Sequence, residues 1–243
     1  MRIYWRSVVG YGVGAPVLYL LAMGFGLGSL VDRHTGTIDQ VSYLVFVGPA
    51  LLVTTVVMEC TSECTYTIIE KFTWQRIYYG VAATPVSPRL IAFGELVVVG
   101  LKLTLQATLF WVILLVSGGT GGGLSWLMVP VGVLAGFSFG APLMAFSATR
   151  ATDDSSFSLI QRFVVMPMFL FSGTFFPLES MPGYLQWVGW VSPMWHGTQL
   201  ARACSYGLPL GGWAVLGHLA YLVALTTVGV WLAMGQYQRR LTR

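Results

Sequence analysis

"IIEKFTWQRIYYGVAATPVSPRL", residues 68–90, is a charged, proline-bounded stretch set between long apolar runs. It carries Glu70, Lys71, Arg76 and Arg89, with prolines at 85 and 88. Its meaning depends on what flanks it. Hydrophobic residues make up 56% of the 243 and charged residues 9%, against about 45–50% and about 25% in soluble domains. The surplus falls in runs near the ~20 apolar residues that cross a bilayer. The chain therefore reads as an all-α integral membrane protein, with no polar block long enough for a separate soluble domain. The first apolar run exceeds the 7–15 residues or so of a cleaved signal's core, so it reads as a first span that also acts as a signal. Three cysteines make no disulfide framework. The basic residues form no patch for nucleic acid, and no such partner is expected.

Six spans are expected, at roughly 8–30, 41–63, 90–116, 126–148, 159–175 and 213–235, in a single transmembrane domain covering 1–243. Six spans put both termini on one side. Arg2, Arg6, Lys71, Arg76, Arg89, Arg150, Arg162, Arg239, Arg240 and Arg243 then share that side, while only Arg33 and Arg202 face the other. Lysine and arginine concentrate in cytoplasmic loops. The N- and C-termini and the stretch 68–90 are thus expected in the cytoplasm, and an odd span count would scatter these charges over both faces.

On a helical wheel of 70–82, Trp74, Ile77, Tyr78 and Val81 share a face by i, i+3, i+4, i+7 spacing, with Thr73 and Arg76 off it. The mixture suits a short helix lying at the membrane interface. Thr-Pro-Val-Ser-Pro stops it, because proline and the residue before it disfavour helix. These residues alone leave two readings open, a helix resting on lipid headgroups and a dock for a partner.

Family resemblance favours the dock. "EKFTWQRIYYGVAATPVSPRLIAFGEL" resembles the segment between spans two and three of type-2 ABC transporter permeases, matching at Glu70, Thr73, Arg76, Thr84, Pro85, Val86, Ser87 and Gly94. "FLFSGTFFPLESMP" (169–182) and "VSPMWHGTQLAR" (191–202) resemble two elements after that family's fifth span. The match departs at Glu95, where lysine is common, and in the short lead "MRIYWRS". The nearest flavour is the branch of nodulation lipo-oligosaccharide and daunorubicin-type drug exporters. This resemblance implies a coupling helix at 70–83, with Glu70, Lys71, Thr73, Trp74, Arg76 and Ile77 engaging a separate ATP-binding cassette subunit. It also implies re-entrant short helices between spans five and six, and a second permease copy or paralogue. The expected function is export of a drug, lipid or lipid-linked glycan across a bacterial inner membrane. No Gly-x-x-x-x-Gly-Lys-Ser/Thr occurs, so the chain lacks that phosphate cradle. ATP and magnesium are expected in the partner, with no cofactor and no catalysis in this chain. The alternative is an ATP-independent secondary carrier or an assembly protein. A carrier should show internal repeats with matched broken helices, and no convincing halves stand out.

Four further features complete the reading. Lys102 lies mid-span, where a lysine costs roughly 2.5–3.5 kcal/mol on insertion scales, and Glu95 lies seven residues earlier on nearly the same face. They read as a structural pair or a pathway pair. Glu59 and Glu63, with Cys60 and Cys64, read as the wetted inner end of span two, their carboxylates near Lys71, Arg76 or the partner. Segment 176–212 is cut by prolines into two short helices, "GYLQWVGW" and "MWHGTQLARACSYG", with Tyr184, Trp187, Trp190 and Trp195 suited to an interfacial belt. Lys102, Phe175, Phe176 and His196 are candidates for the substrate pathway or outer gate, and Arg202 with His196 for contact with an anionic headgroup.

Overall fold

The computed structural model describes residues 14, 18, 20–27, 38–150 and 155–242. Most of the expected first span, with Arg2, Arg6, Arg33 and Arg243, lies outside them. Besides a π-helical stretch at Leu20–Leu27 and a 3-10 turn at Leu178–Ser180, the described residues form eight helices: α1 (Tyr43–Thr73), α2 (Ile77–Ala82), α3 (Pro88–Val116), α4 (Ser125–Thr149), α5 (Ser156–Phe171), α6 (Gly183–Val191), α7 (Pro193–Tyr206) and α8 (Gly212–Leu241). Four of them, α1, α3, α4 and α8, are long and apolar enough to cross a membrane.

α1 runs ten residues past its expected end. The polar run at 59–65 stays helical because its hydroxyls bond back into the helix: Thr61 Oγ1 donates to the Val57 carbonyl and Thr65 Oγ1 to that of Thr61, each at 2.7 Å. The helix widens to a π-turn over Glu63–Thr67, and there the Cys64 carbonyl accepts from Ser147 Oγ of α4 at 2.8 Å. α3 begins as its sequence predicts, with Ser87 capping the Leu90 amide and Pro88 in the first turn. α5 is shorter than the expected fifth span. Gly173 adopts φ +71°, and Ser172 Oγ donates to Ser192 Oγ at 2.7 Å, ending the helix at Phe171. The 16 residues of α5 extend about 24 Å. The two short helices expected within 176–212 are α6 and α7.

The core is a contact of α1, α4, α7 and α8 across glycines. Gly132, Gly136 and Gly140 form a one-turn ladder on α4, so that α1 packs almost backbone to backbone. A Cβ at Gly132 would lie 2.9 Å from Leu52 Cδ2, and one at Gly140 would lie 2.3 Å from Cys60 Sγ. Gly197 of α7 faces Ala135 and Val53 in the same way. Gly229 of α8 lies against the Pro142 ring of α4, where a Cβ would be 2.4 Å from Pro142 Cδ. Small residues permit such close approach within a bilayer, where packing replaces the hydrophobic drive. α1 is the most enclosed long helix and α8 the most open.

Gly229→Ala should lower thermal stability in detergent by about 1–3 kcal/mol, as overpacking against rigid backbone does. Gly235→Ala, with nothing within 4 Å of the added methyl, should leave it unchanged. Differential scanning fluorimetry of the two purified variants checks the contrast.

Candidate functional site at the arginine-rich end

The stretch 68–90 does not form one helix over 70–82. The chain leaves α1 after Thr73, and Arg76 takes the left-handed conformation at φ 52° before α2 starts. The Glu70 carbonyl accepts from the amides of both Trp74 and Gln75 at 3.0 Å. The Glu70 carboxylate then takes the Gln75 side-chain amide, so Glu70 holds the turn from both ends. The break separates the predicted face. Trp74 lies outside α2 and is 71% exposed, Ile77 and Val81 are also exposed, and Tyr78 points inward.

Tyr78 belongs to an aromatic knot. Its ring lies 4.6 Å from that of Phe72 at the end of α1 and 5.3 Å from that of Tyr237 at the end of α8. Phe72 and Tyr237 are 4.9 Å apart, all three edge-on. Such pairs contribute about 0.5–1.5 kcal/mol each beyond the area they bury. The Arg240 guanidinium caps the knot 4.0 Å above Phe72. Its Nη1 also donates to the Ala148 carbonyl at 3.0 Å and the Arg150 carbonyl at 2.6 Å, at the exposed end of α4. Thus α2 is pinned to the ends of α1, α4 and α8. The tail "QYQRRLTR" showed only a basic end in sequence, although Tyr237 and Arg240 at i, i+3 mark one helix face.

The ion pairs are redistributed from their expected arrangement. Glu95 accepts from Lys71, not Lys102. Lys102 reaches across from α3 to Glu63 of α1 at 2.7 Å. The expected Lys102–Glu95 pair fails because the wide turn in α1 swings Glu63 within reach, and the longer α1 carries Lys71 past Glu95. Lys102 stays 44% exposed at the middle of α3, while the second Glu63 oxygen is buried without a hydrogen bond among described residues.

The opposite end holds the remaining candidates. Arg202 does not reach toward a headgroup, because it is buried. Its guanidinium lies 3.7 Å over the Phe46 ring and donates to the carbonyls of Gly173 at 2.8 Å and Phe46 at 3.3 Å. Arg202 thereby ties α7 to the start of α1 and to the turn after α5. Phe175 packs on Phe169 at 5.1 Å and its carbonyl accepts from Tyr43, and Phe176 is exposed. His196 is paired with His218 of α8, their Nδ1 atoms 2.7 Å apart, and is stacked on Tyr221 at 4.1 Å. His196 Nε2 meets the Trp190 carbonyl at 3.0 Å, which can only accept. His196 Nδ1 must therefore accept from His218 Nδ1–H. Burial holds the His196 imidazole below its ordinary range, against the opposing pull of the Trp190 carbonyl.

Residues 1–206 match the family model described as ABC-2 type transporter. The chain belongs to the ABC-2 type transporter family. Nodulation protein J of Rhizobium meliloti (strain 1021) is 29% identical over 244 residues, covering 99% of this chain and 88% of that protein. Nodulation protein J of Sinorhizobium fredii (strain NBRC 101917 / NGR234) is 28% identical, covering 97% and 87%. The same-named protein of Rhizobium leguminosarum bv. viciae is 27% identical, covering 98% and 88%. No solved structure matches significantly. Membership of the ABC-2 family, with the apolar helices, makes this chain the multi-pass membrane subunit of an ABC-type transporter and not its catalyst.

Once both imidazoles are protonated, the two Nδ1 atoms are both N–H donors and are set against each other. The histidine contact is therefore complete above the ordinary histidine pKa of about 6.5 and is lost as pH falls below it. The melting temperature should drop between about pH 7 and pH 5.5. His196→Phe should flatten that slope, and an unchanged slope would contradict the arrangement.

Proposed function

We propose that the chain is the permease of an ATP-driven exporter, and that α2 with its preceding turn is where a separate ATP-binding cassette subunit docks. The observation that carries this is the division of labour within residues 72–82. Phe72 and Tyr78 are locked into the knot, while Trp74, Arg76, Ile77, Tyr79 and Val81 are exposed, with no covering element among the described residues. An exposed aromatic and apolar group held on a rigid base is what a protein partner grips. A surface meant only for lipid headgroups would not need three helix ends to brace it.

In this reading the arginine-rich end faces the cytoplasm of a bacterial inner membrane. The lysine and arginine distribution supports that orientation. ATP and magnesium sit in the partner, whose closure pushes α2. The knot passes the push to α1 and α8 together. Two permease copies, identical or related, would enclose the passage. Lys102 with Glu63 would line it, because a half-exposed cation at mid-helix is costly against hydrocarbon and needs a wetted or protein-covered face. Phe176, beside the buried Arg202 anchor, would stand at the outer exit. The similarity to proteins named for nodulation, and the resemblance to lipo-oligosaccharide exporters, support an amphipathic glycolipid or hydrophobic drug as substrate.

Trp74→Ala combined with Ile77→Ser tests the dock, because neither side chain supports the fold. Losing two interface anchors of roughly 1–2 kcal/mol each should weaken partner binding by at least about tenfold. Co-purification of the tagged permease with its ATPase, and ATPase stimulation in nanodiscs, read this directly. A variant that recruits and stimulates the ATPase normally would overturn the dock. Lys102→Met should leave assembly intact and lower transport.

A further inference from the structure

Next to the knot lies a cleft of about 880 Å³. Its walls come from the end of α4 (Ala148, Thr149, Arg150), the last turns of α8 (Gln236, Arg239, Arg240) and the α1–α2 junction (Phe72, Thr73, Arg76, Tyr79). We infer that this cleft binds the phosphate-bearing headgroup of an anionic phospholipid from the adjoining leaflet.

The first ground is charge. Four arginines line the cleft, and no described lining residue is acidic. Two of them already have work. Arg240 caps the carbonyls at the end of α4, and Arg150 stacks on the Phe146 ring. Arg76 and Arg239 remain. Both are exposed at the rim, and the described ion pairs, Lys71–Glu95 and Lys102–Glu63, include neither. Planar guanidinium forks match phosphate oxygens two at a time. The cleft is also of a size that holds a small ligand, about 300–1,000 Å³.

The second ground is depth and access. α1 has 31 residues and α8 has 30, about 46 and 45 Å of helix. The hydrocarbon core is about 30 Å thick, so the last turns of both reach headgroup level. Val228, Leu232, Gly235 and Arg239 recur at i, i+4, i+7 and i+11, one face of α8. Val228 and Leu232 are exposed, and Gly235 leaves open space beside them. An acyl chain lying along this strip would bring its phosphate to Arg239, with Arg76 facing it across the cleft. This apolar approach favours a lipid over a soluble anion or an acidic protein loop. The inference goes beyond the export reading and needs no ATPase.

The test uses the purified full chain alone. Native mass spectrometry would titrate phosphatidylglycerol, phosphatidylcholine and glycerol 3-phosphate against the wild type and against Arg76→Gln, Arg239→Gln and Arg89→Gln. Arg89 is exposed at the same end but does not line the cleft. Phosphatidylglycerol should bind in preference to phosphatidylcholine. Arg76→Gln and Arg239→Gln should each weaken it about fivefold and together about thirtyfold, as expected for basic groups at a membrane surface. Arg89→Gln should do nothing comparable. Equal loss in Arg89→Gln would mean diffuse surface charge and overturn the assignment. Glycerol 3-phosphate binding as tightly as the lipid would overturn the lipid source. Normal phosphatidylglycerol binding by the double variant would overturn it as well.

Discussion

Three aromatic rings, Phe72, Tyr78 and Tyr237, meet edge-on where the chain turns out of the membrane. Without that contact α2 would be six residues attached through a left-handed turn, too short to hold its own helix in water. With it, α2 becomes an extension of two long spans. Arg240 adds a third connection by lying over Phe72 and hydrogen-bonding the free carbonyls of α4. The surface groups Trp74, in the turn, and Ile77, at the start of α2, are therefore displayed on a rigid mount.

Rigidity at that end would serve nothing if the spans slid independently. The glycine ladder on α4 prevents this. Gly132, Gly136 and Gly140 bring α1 so close that a methyl group does not fit at the last of them, and Gly229 seats α8 on Pro142 in the same manner. α1, α4 and α8 thus pack as one unit. Its polar fastenings are placed off the glycine seam, Lys71–Glu95 and Lys102–Glu63 toward α3 and Arg202 at the far end. A load applied to α2 has a short, stiff route into this unit, and the exposed Lys102 lies beside it.

Much of this was legible in the sequence where local rules decide. Apolar length located the long spans, placing the start of α3 at 90, two residues from where it begins, and the prolines at 182, 193 and 209 bounded α6 and α7. Motif order pointed to the family. Tertiary rules were harder to read. The polar run at 59–65 reads as a helix end, yet its threonines satisfy themselves and Cys60 and Cys64 fill the space left by Gly140. That extension moved Lys71 and Glu63 relative to α3 and exchanged both ion-pair partners. The Gly-x-x-x-Gly-x-x-x-Gly spacing at 132–140 places three glycines on one face but does not by itself name α1 as the helix that packs there. The wheel over 70–82 assumed an unbroken helix, and nothing short-range announces that a non-glycine residue, Arg76, will sit at positive φ. His218 could not be paired with His196 from spacing alone, since 22 residues and a change of helix separate them.

If the knot holds, α2 moves as one body with the end of α8. Gly80 and Gly235 both face open space and accept spin labels as Gly80→Cys and Gly235→Cys, with Cys60, Cys64 and Cys204 replaced by alanine. Pulsed dipolar spectroscopy of the permease–ATPase complex would give that distance with and without ATP. The account predicts one narrow distribution that ATP leaves in place, and that broadens when Tyr237→Leu removes a ring of the knot. A distance that shifts with ATP while the knot is intact would show α2 pivoting on its own and would contradict the account.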